Sequence, residues 1–127
     1  MTYIEGFVIA VPTAKRQAFI DHAREIDAIF IEHGALRVVE CWGDDVPHGT
    51  VTDFHRAVAA REDETVGFAW IEWPDRATRE REMARIREKM ATDPRMDPIT
   101  NPPPFDGKRM IFGGFEVVVD LENTKGE

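Results

Sequence analysis

Four stretches rich in aromatic and β-branched residues, 3–11 (YIEGFVIAV), 36–43 (LRVVECWG), 66–73 (VGFAWIEW) and 108–121 (KRMIFGGFEVVVDL), alternate with segments of helical spacing. That order constrains the fold more than any other feature. Runs of this kind bounded by turn residues read as strands. Between the first two, Phe19, Ala23, Ile26 and Phe30 recur at spacings of four, three and four, which is one buried helical stripe. Thr13, after the strand-ending Pro12, is a candidate cap for this helix, and Gly34 is its terminator. Thr52 or Asp53 can cap a short helix over 54–60. Pro74 stops the third strand, Asp75 or Thr78 opens a second long helix with Met83, Ile86 and Met90 on one side, and Asp93-Pro94 closes it.

The order β-α-β-(short helix)-β-α-β predicts an α+β, ferredoxin-like βαββαβ subunit, with a four-stranded antiparallel sheet and two helices on one face. No repeat or linker divides the chain. Residues 1–121 are expected to form one domain, and 122–127 a polar tail. A chain of 127 residues buries about two-thirds of its unfolded surface, enough for one core without disulfides or a structural metal.

Twenty-four acidic against sixteen basic residues give a net charge of −8, a field that repels phosphate backbones. The arginines between 76 and 89 are interleaved with Glu80, Glu82 and Glu88, which reads as a solvated helix face. No nucleic-acid partner is expected. No apolar run approaches the ~20 residues of a spanning helix, so no membrane association is expected either. The start lacks the basic patch and apolar stretch of a signal peptide, and the single cysteine, Cys41, has no internal partner. A reduced, cytoplasmic setting follows as the expectation.

Alternate residues of a strand point to opposite faces. One set, Gly6, Val8 and Ala10; Val39, Cys41 and Gly43; Gly67, Ala69 and Ile71; Ile111, Gly113, Phe115 and Val117, is mostly small or aliphatic and is expected to face the helices. The other, Glu5, Phe7 and Ile9; Val38, Glu40 and Trp42; Phe68, Trp70 and Glu72; Phe112, Gly114 and Glu116, is aromatic and acidic together. On a monomer it would expose a large apolar patch. A second copy covering it is the economical solution, so a homodimer is expected. The strand glutamates either line a polar-bottomed pocket between the sheets or form salt bridges with Arg37, Lys108 or Arg109.

Five separated blocks, RVVECWGDDVPHG (37–49), TDFHRAV (52–58), EDETVGFAWIEWP (62–74), DPRM (93–96) and FDGKRMIFGGFE (105–116), carry a further signal. Together they resemble the YbaA-like family of uncharacterised bacterial proteins over nearly the whole chain. The resemblance implies a subunit of the dimeric α/β-barrel superfamily, with two sheets facing each other across a two-fold axis. It implies no reaction, because that superfamily hosts cofactor-free monooxygenases, haem-degrading enzymes, isomerases and ligand sensors on one fold.

The candidate ligand-binding residues are Glu40, Trp42, Trp70, Glu72, Phe112 and Glu116 on the aromatic face, with Asp44 and His48 in the loop after the second strand. That loop joins carboxylates and an imidazole at a turn, and His55 follows; its Asp, Pro and Gly are equally ordinary turn formers. HExxH, EF-hand and paired CxxC spacings do not occur, and no metal or cofactor is expected. FDGKRMIFGG matches neither phosphate-loop pattern; Asp106-Gly107 reads as the turn before the fourth strand. Cys41 lies beside Glu40 and near Asp44, which would raise rather than lower a thiol pKa, so it reads as a packing residue. His22 borders the apolar stripe as a packed or rim residue; three helical turns separate it from His33, too far to share a metal. The expected function is a homodimer binding a small molecule in an acidic, aromatic, sheet-lined cavity. The alternative is a cofactor-free monooxygenase- or isomerase-like enzyme acting on a small aromatic or carbonyl compound, with its base among Glu40, Glu72, Glu116 and His48.

Overall fold

A computed structural model describes residues 2–123. The strands are β1 (Tyr3–Pro12), β2 (Arg37–Trp42), β3 (Glu64–Trp73) and β4 (Ile111–Glu116), and the helices are α1 (Arg16–Glu32), α2 (Phe54–Ala57) and α3 (Arg76–Lys89). The sheet order is β2-β3-β1-β4 with every neighbouring pair antiparallel. This is the ferredoxin-like arrangement that the element order predicts.

Local chemistry explains most element ends. Asp53 accepts the Arg56 N–H at 2.7 Å to start α2, and Asp75 accepts the Thr78 N–H at 2.7 Å to start α3. Gly34, at φ +99°, closes α1. The Gly34 N–H donates to Ile31 O and the Ala35 N–H to Phe30 O, the paired bonds of a Schellman ending. Thr13 departs from expectation. It opens a 3-10 turn over Thr13–Lys15 that has no side-chain cap, and its hydroxyl pairs with that of Thr65 at 2.7 Å. β4 is shorter than 108–121 at both ends. Lys108 and Arg109 lie in a 3-10 turn capped by Asp106, where Arg109 makes a two-armed bond to Glu64 at 2.7 and 2.6 Å. At the other end the ladder stops where Tyr3 faces Glu116, because β1 begins there. The last four residues of the expected polar tail lie outside the described residues.

The register settles the two faces and corrects the expectation for three strands. Phe7 pairs with Ala69 and Phe112, Glu40 with Ala69, and Trp42 with Gly67, so these side chains share one face. That face lies under the helices: Ile9 and Val11 pack with Phe19 and Trp42, while Ile71 and Trp73 pack with Phe30 and Met83. The assignment for β3 holds, with Gly67, Ala69 and Ile71 beneath the helices. The assignments for β1, β2 and β4 are reversed. Gly6, Val8, Ala10, Val39, Cys41, Ile111, Gly113 and Phe115 lie on the other face with Phe68, Trp70 and Glu72; Val58 and Ala60, after α2, cover its end at Val8, Ala10 and Val66, and the rest is open. Residue size misleads here, because small residues occur on both faces: Gly114 lies on the helix side, where an added Cβ would collide with the Tyr3 ring. Gly6 pairs with Gly113, and a Cβ on either would lie 3.5 Å from the Phe115 ring.

The four strand glutamates therefore do not form one cluster. Glu5 is buried beneath α3, Glu40 and Glu116 lie on the same face but far apart along it, and Glu72 lies on the open face. α3 presents little apolar surface, with only Ile86 fully buried among its apolar residues and Met90 exposed. Polar and ionic contacts hold it down: Arg79 to Glu5 at 2.9 Å and buried Glu82 to His33 Nδ1 at 2.9 Å, while Arg85 of the same helix pairs with Glu82 at 2.8 Å.

Candidate functional site

α1 does not lie flush on the sheet. Its residues 19, 22, 23, 26, 27 and 30, one face of the helix, roof a cavity of about 210 Å³. Phe7, Ile9, Val38 and Ile71 form the floor, and Phe105 and Met110, from the segment before β4, close one side. Phe105 meets Phe19 edge-on at 6.3 Å and His22 edge-on at 5.9 Å between ring centres. The lining is apolar except for His22, Asp27 and Glu40.

Asp27 on α1 and Glu40 on β2 form a carboxyl pair. Loss of water around Glu40 is the main cause that pushes its pKa up to about 9, and the hydrogen bond with Asp27 and the Asp27 charge add to it. Burial raises Asp27 as well, opposed by the hydrogen bond from Glu40. Burial thus favours the protonated form on the Glu40 side of the pair. Burial lowers the His22 pKa, the Glu25 charge opposing, so the imidazole is neutral. The pair also borders an outer groove of about 440 Å³, where Glu40 is open to solvent beside Arg16, Arg24 and Trp42. Trp42 is held there between Phe19, 5.8 Å away, and the Arg16 guanidinium, 5.8 Å from its ring centre.

Of the residues singled out from the sequence, the structure brings Glu40 and Trp42 together along this groove. The others are dispersed. Trp70 lies in the open-face concavity, and its Nε1–H donates to Glu72 at 2.9 Å, with Arg37 3.8 Å from the same carboxyl oxygen. Phe112 stacks on Phe7 at 6.3 Å near the sheet edge, and Glu116 ends β4 opposite Tyr3. Asp44 lines a depression of about 190 Å³ beside Trp42 and Phe54. His48 stacks on His55 at 4.2 Å, while Asp53 is occupied by the Gly49 and Arg56 N–H groups. Asp53 thus caps α2 and ties down the turn at Gly49. Among the described residues no three His, Cys, Asp or Glu side chains are grouped to hold a metal ion.

Asp27, Phe105 and Met110 escape the sequence reading. Asp27 left one trace: it is an acid inside the α1 stripe, four residues after Ala23 and three before Phe30.

A β2-β3-β1-β4 antiparallel sheet with two long helices on one face and a cavity beneath the first defines a ferredoxin-like α+β subunit. The chain belongs to the DUF1428 family, described as proteins of unknown function, which matches residues 2–107. It is 50% identical over 120 residues to the uncharacterized protein YbaA of Escherichia coli strain K12, covering 94% of this chain and 99% of that protein. The YbaA protein of Shigella flexneri matches to the same extent. A solved structure of a dimeric ferredoxin-like protein from an uncultured marine organism superposes with a TM-score of 0.54 at 13% identity, covering 97% of this chain and 100% of that one. Among the described residues no helix is long and apolar enough to cross a membrane.

Proposed function

We propose that the protein is a cytoplasmic homodimer that takes a small, largely apolar molecule with one hydrogen-bonding head group into the cavity beneath α1. The observation that carries this reading is the Asp27–Glu40 pair in the wall of an aromatic cavity. Two adjacent acids bring no ion pair to the fold, whereas together they offer one donor and one acceptor to a ligand. A carbonyl can accept from Glu40, and a hydroxyl or N–H can donate to Asp27. Phe19, Phe30 and Phe105 supply ring faces and edges for a flat body. At about 210 Å³ the space is below the ~300–1,000 Å³ of pockets for drug-sized molecules, which favours a metabolite-sized guest.

The dimer reading rests on the open sheet face. Phe68, Ile111 and Phe115 are 45, 44 and 60% exposed around an apolar concavity of about 500 Å³ that Trp70 also lines. A patch of this kind on a lone subunit is uncommon, and the dimeric state of the marine protein with the same fold supports the reading. In this reading Glu40 and Trp42 serve the ligand, and Trp70 serves the subunit contact.

A panel of small hydroxyaromatic and keto compounds, screened by ligand-detected NMR, tests the site. Binding that weakens at least tenfold in both Asp27→Asn and Glu40→Gln supports it. Binding indifferent to both substitutions overturns it. A second reading, an isomerase-like enzyme, is favoured by one feature: an acid, a base and a neutral imidazole border the same cavity. Asp27 would take a proton from carbon and Glu40 would protonate the developing enol oxygen, a proton shift that needs no cofactor. Deuterium incorporation from D₂O into a bound ketone, absent in Glu40→Gln, distinguishes it from simple binding.

A further inference from the structure

A second space lies against the α1 cavity on its outer side. The groove of about 440 Å³ between α1 and the edge strand β2 shares Phe19, Ala23, Asp27, Val38 and Glu40 with the cavity as a common wall. Ala23 and Val38 are the short members of that wall. The groove differs from the cavity in what else lines it. Arg16, Ile20 and Arg24 follow one another at intervals of four, which sets them on one ridge of α1 along the groove. The two arginines stand about 12 Å apart along the helix axis, a gap that their long side chains can close from either side of Ile20.

These two arginines are unlike most others in the chain. The net charge is −8, and most arginines are held by carboxylates of the fold, as Arg79 is by Glu5, Arg95 by Glu32 and Arg109 by Glu64. Among the described residues neither Arg16 nor Arg24 is in an ion pair. Arg16 instead lies over the Trp42 ring, and Phe19 packs on the same ring. A guanidinium held over a ring keeps its edge N–H groups for a planar anion. A carboxylate matches that edge with two parallel bonds. The Asp27–Glu40 pair in the same wall opposes further negative charge, so the groove suits a monoanion better than a phosphate dianion.

We infer that the guest of the α1 cavity is a monocarboxylic acid: its flat body lies beneath α1, its carbonyl or hydroxyl meets the Asp27–Glu40 pair, and its carboxylate reaches past Ala23 and Val38 to Arg16 and Arg24. The inference deepens the proposed function and rests on its cavity reading, and the test lets the two fail separately. The probes are oxo-phenylalkanoates of increasing chain length with the keto group beside the ring, each measured against its primary amide by ligand-detected NMR. The best carboxylate should bind the wild-type protein at least about tenfold more tightly than its amide, the gain expected of one charge-assisted pair. Arg16→Gln combined with Arg24→Gln should bring the carboxylate down to the amide and leave the amide unchanged. Both side chains are exposed, so the double variant should keep the fold, which its melting curve checks. In the wild-type protein the Nε–H signals of Arg16 and Arg24 should shift with the carboxylate and not with the amide, and this readout decides the matter even if the variant misfolds. Carboxylates that bind no more tightly than their amides, an advantage that survives the double substitution, or unmoved arginine signals overturn the carboxylate subsite and leave the cavity reading standing. Binding by neither series also overturns the subsite, and the cavity reading then stands or falls on the neutral hydroxyaromatic and keto panel.

Discussion

Arg79 of α3 reaches Glu5 of β1 with one N–H at 2.9 Å, and Glu5 is only 2% exposed. The Trp73 indole donates to the other Glu5 oxygen at 3.4 Å, and the Arg79 guanidinium lies 5.8 Å from the Tyr3 ring centre. The Nε atom of Arg79 is itself buried without a hydrogen-bond partner. A charged pair thus replaces the apolar stripe that α3 lacks. Its value lies less in attraction than in the cost of leaving either partner alone.

Arg79→Ala should therefore destabilise the fold by about 3 kcal/mol, the cost of stranding a buried carboxylate. Adding Glu5→Gln should recover part of that loss. Urea unfolding of the single and double variants checks both statements. Equal stability of Arg79→Ala and wild type would show that α3 is held by other contacts.

Ala69 is 5% exposed beneath α1 and lines the cavity. In a filled core, Ala69→Leu would cost about 1–3 kcal/mol. Here the added carbons enter existing space, so the loss should fall at or below the low end of that range while ligand binding is abolished. Thermal unfolding and the NMR screen read the two effects. A large destabilisation with binding retained would mean that the side chain points away from the cavity.

The Asp27–Glu40 pair sets a pH dependence. The Glu40 pKa is raised in the folded state from an ordinary 4.5 to about 9, so the folded chain binds a proton that the unfolded chain has lost in this interval. Stability should then fall as pH rises across the window, and the raised Asp27 acts in the same direction. Glu40→Gln should flatten the decline and be the more stable form at alkaline pH. Melting temperatures of both proteins from pH 5 to 9 test this; parallel curves would rule out the raised Glu40 pKa.

Trp70→Glu should dissociate the dimer, because it sets a charge in the desolvated centre of the open face. Sedimentation at micromolar concentration should show monomers with the far-UV circular dichroism of wild type. A dimer unaffected by this change would place the contact elsewhere.

Sequence alone determined the elements and their order. The period-two runs, the helical stripe of α1 and the caps Asp53, Asp75 and Gly34 act through neighbours within a few residues, so their meaning does not depend on the rest of the chain. The ferredoxin-like arrangement follows, because four strands and two long helices in this order have few ways to pack. Tertiary structure alone decided which face of the sheet the helices cover. Both faces are apolar, so alternation separates two sets of residues without saying which lies inside, and Glu40 and Trp42 moved beneath α1 while Trp70 stayed outside. It also ended β4 at Glu116, since a strand's length is set by its partner's, and the β1 strand begins at Tyr3. The pairing of Asp27 with Glu40 belongs to the same category. Their meeting depends on how α1 lies over β2, and no local pattern in the chain records that distance.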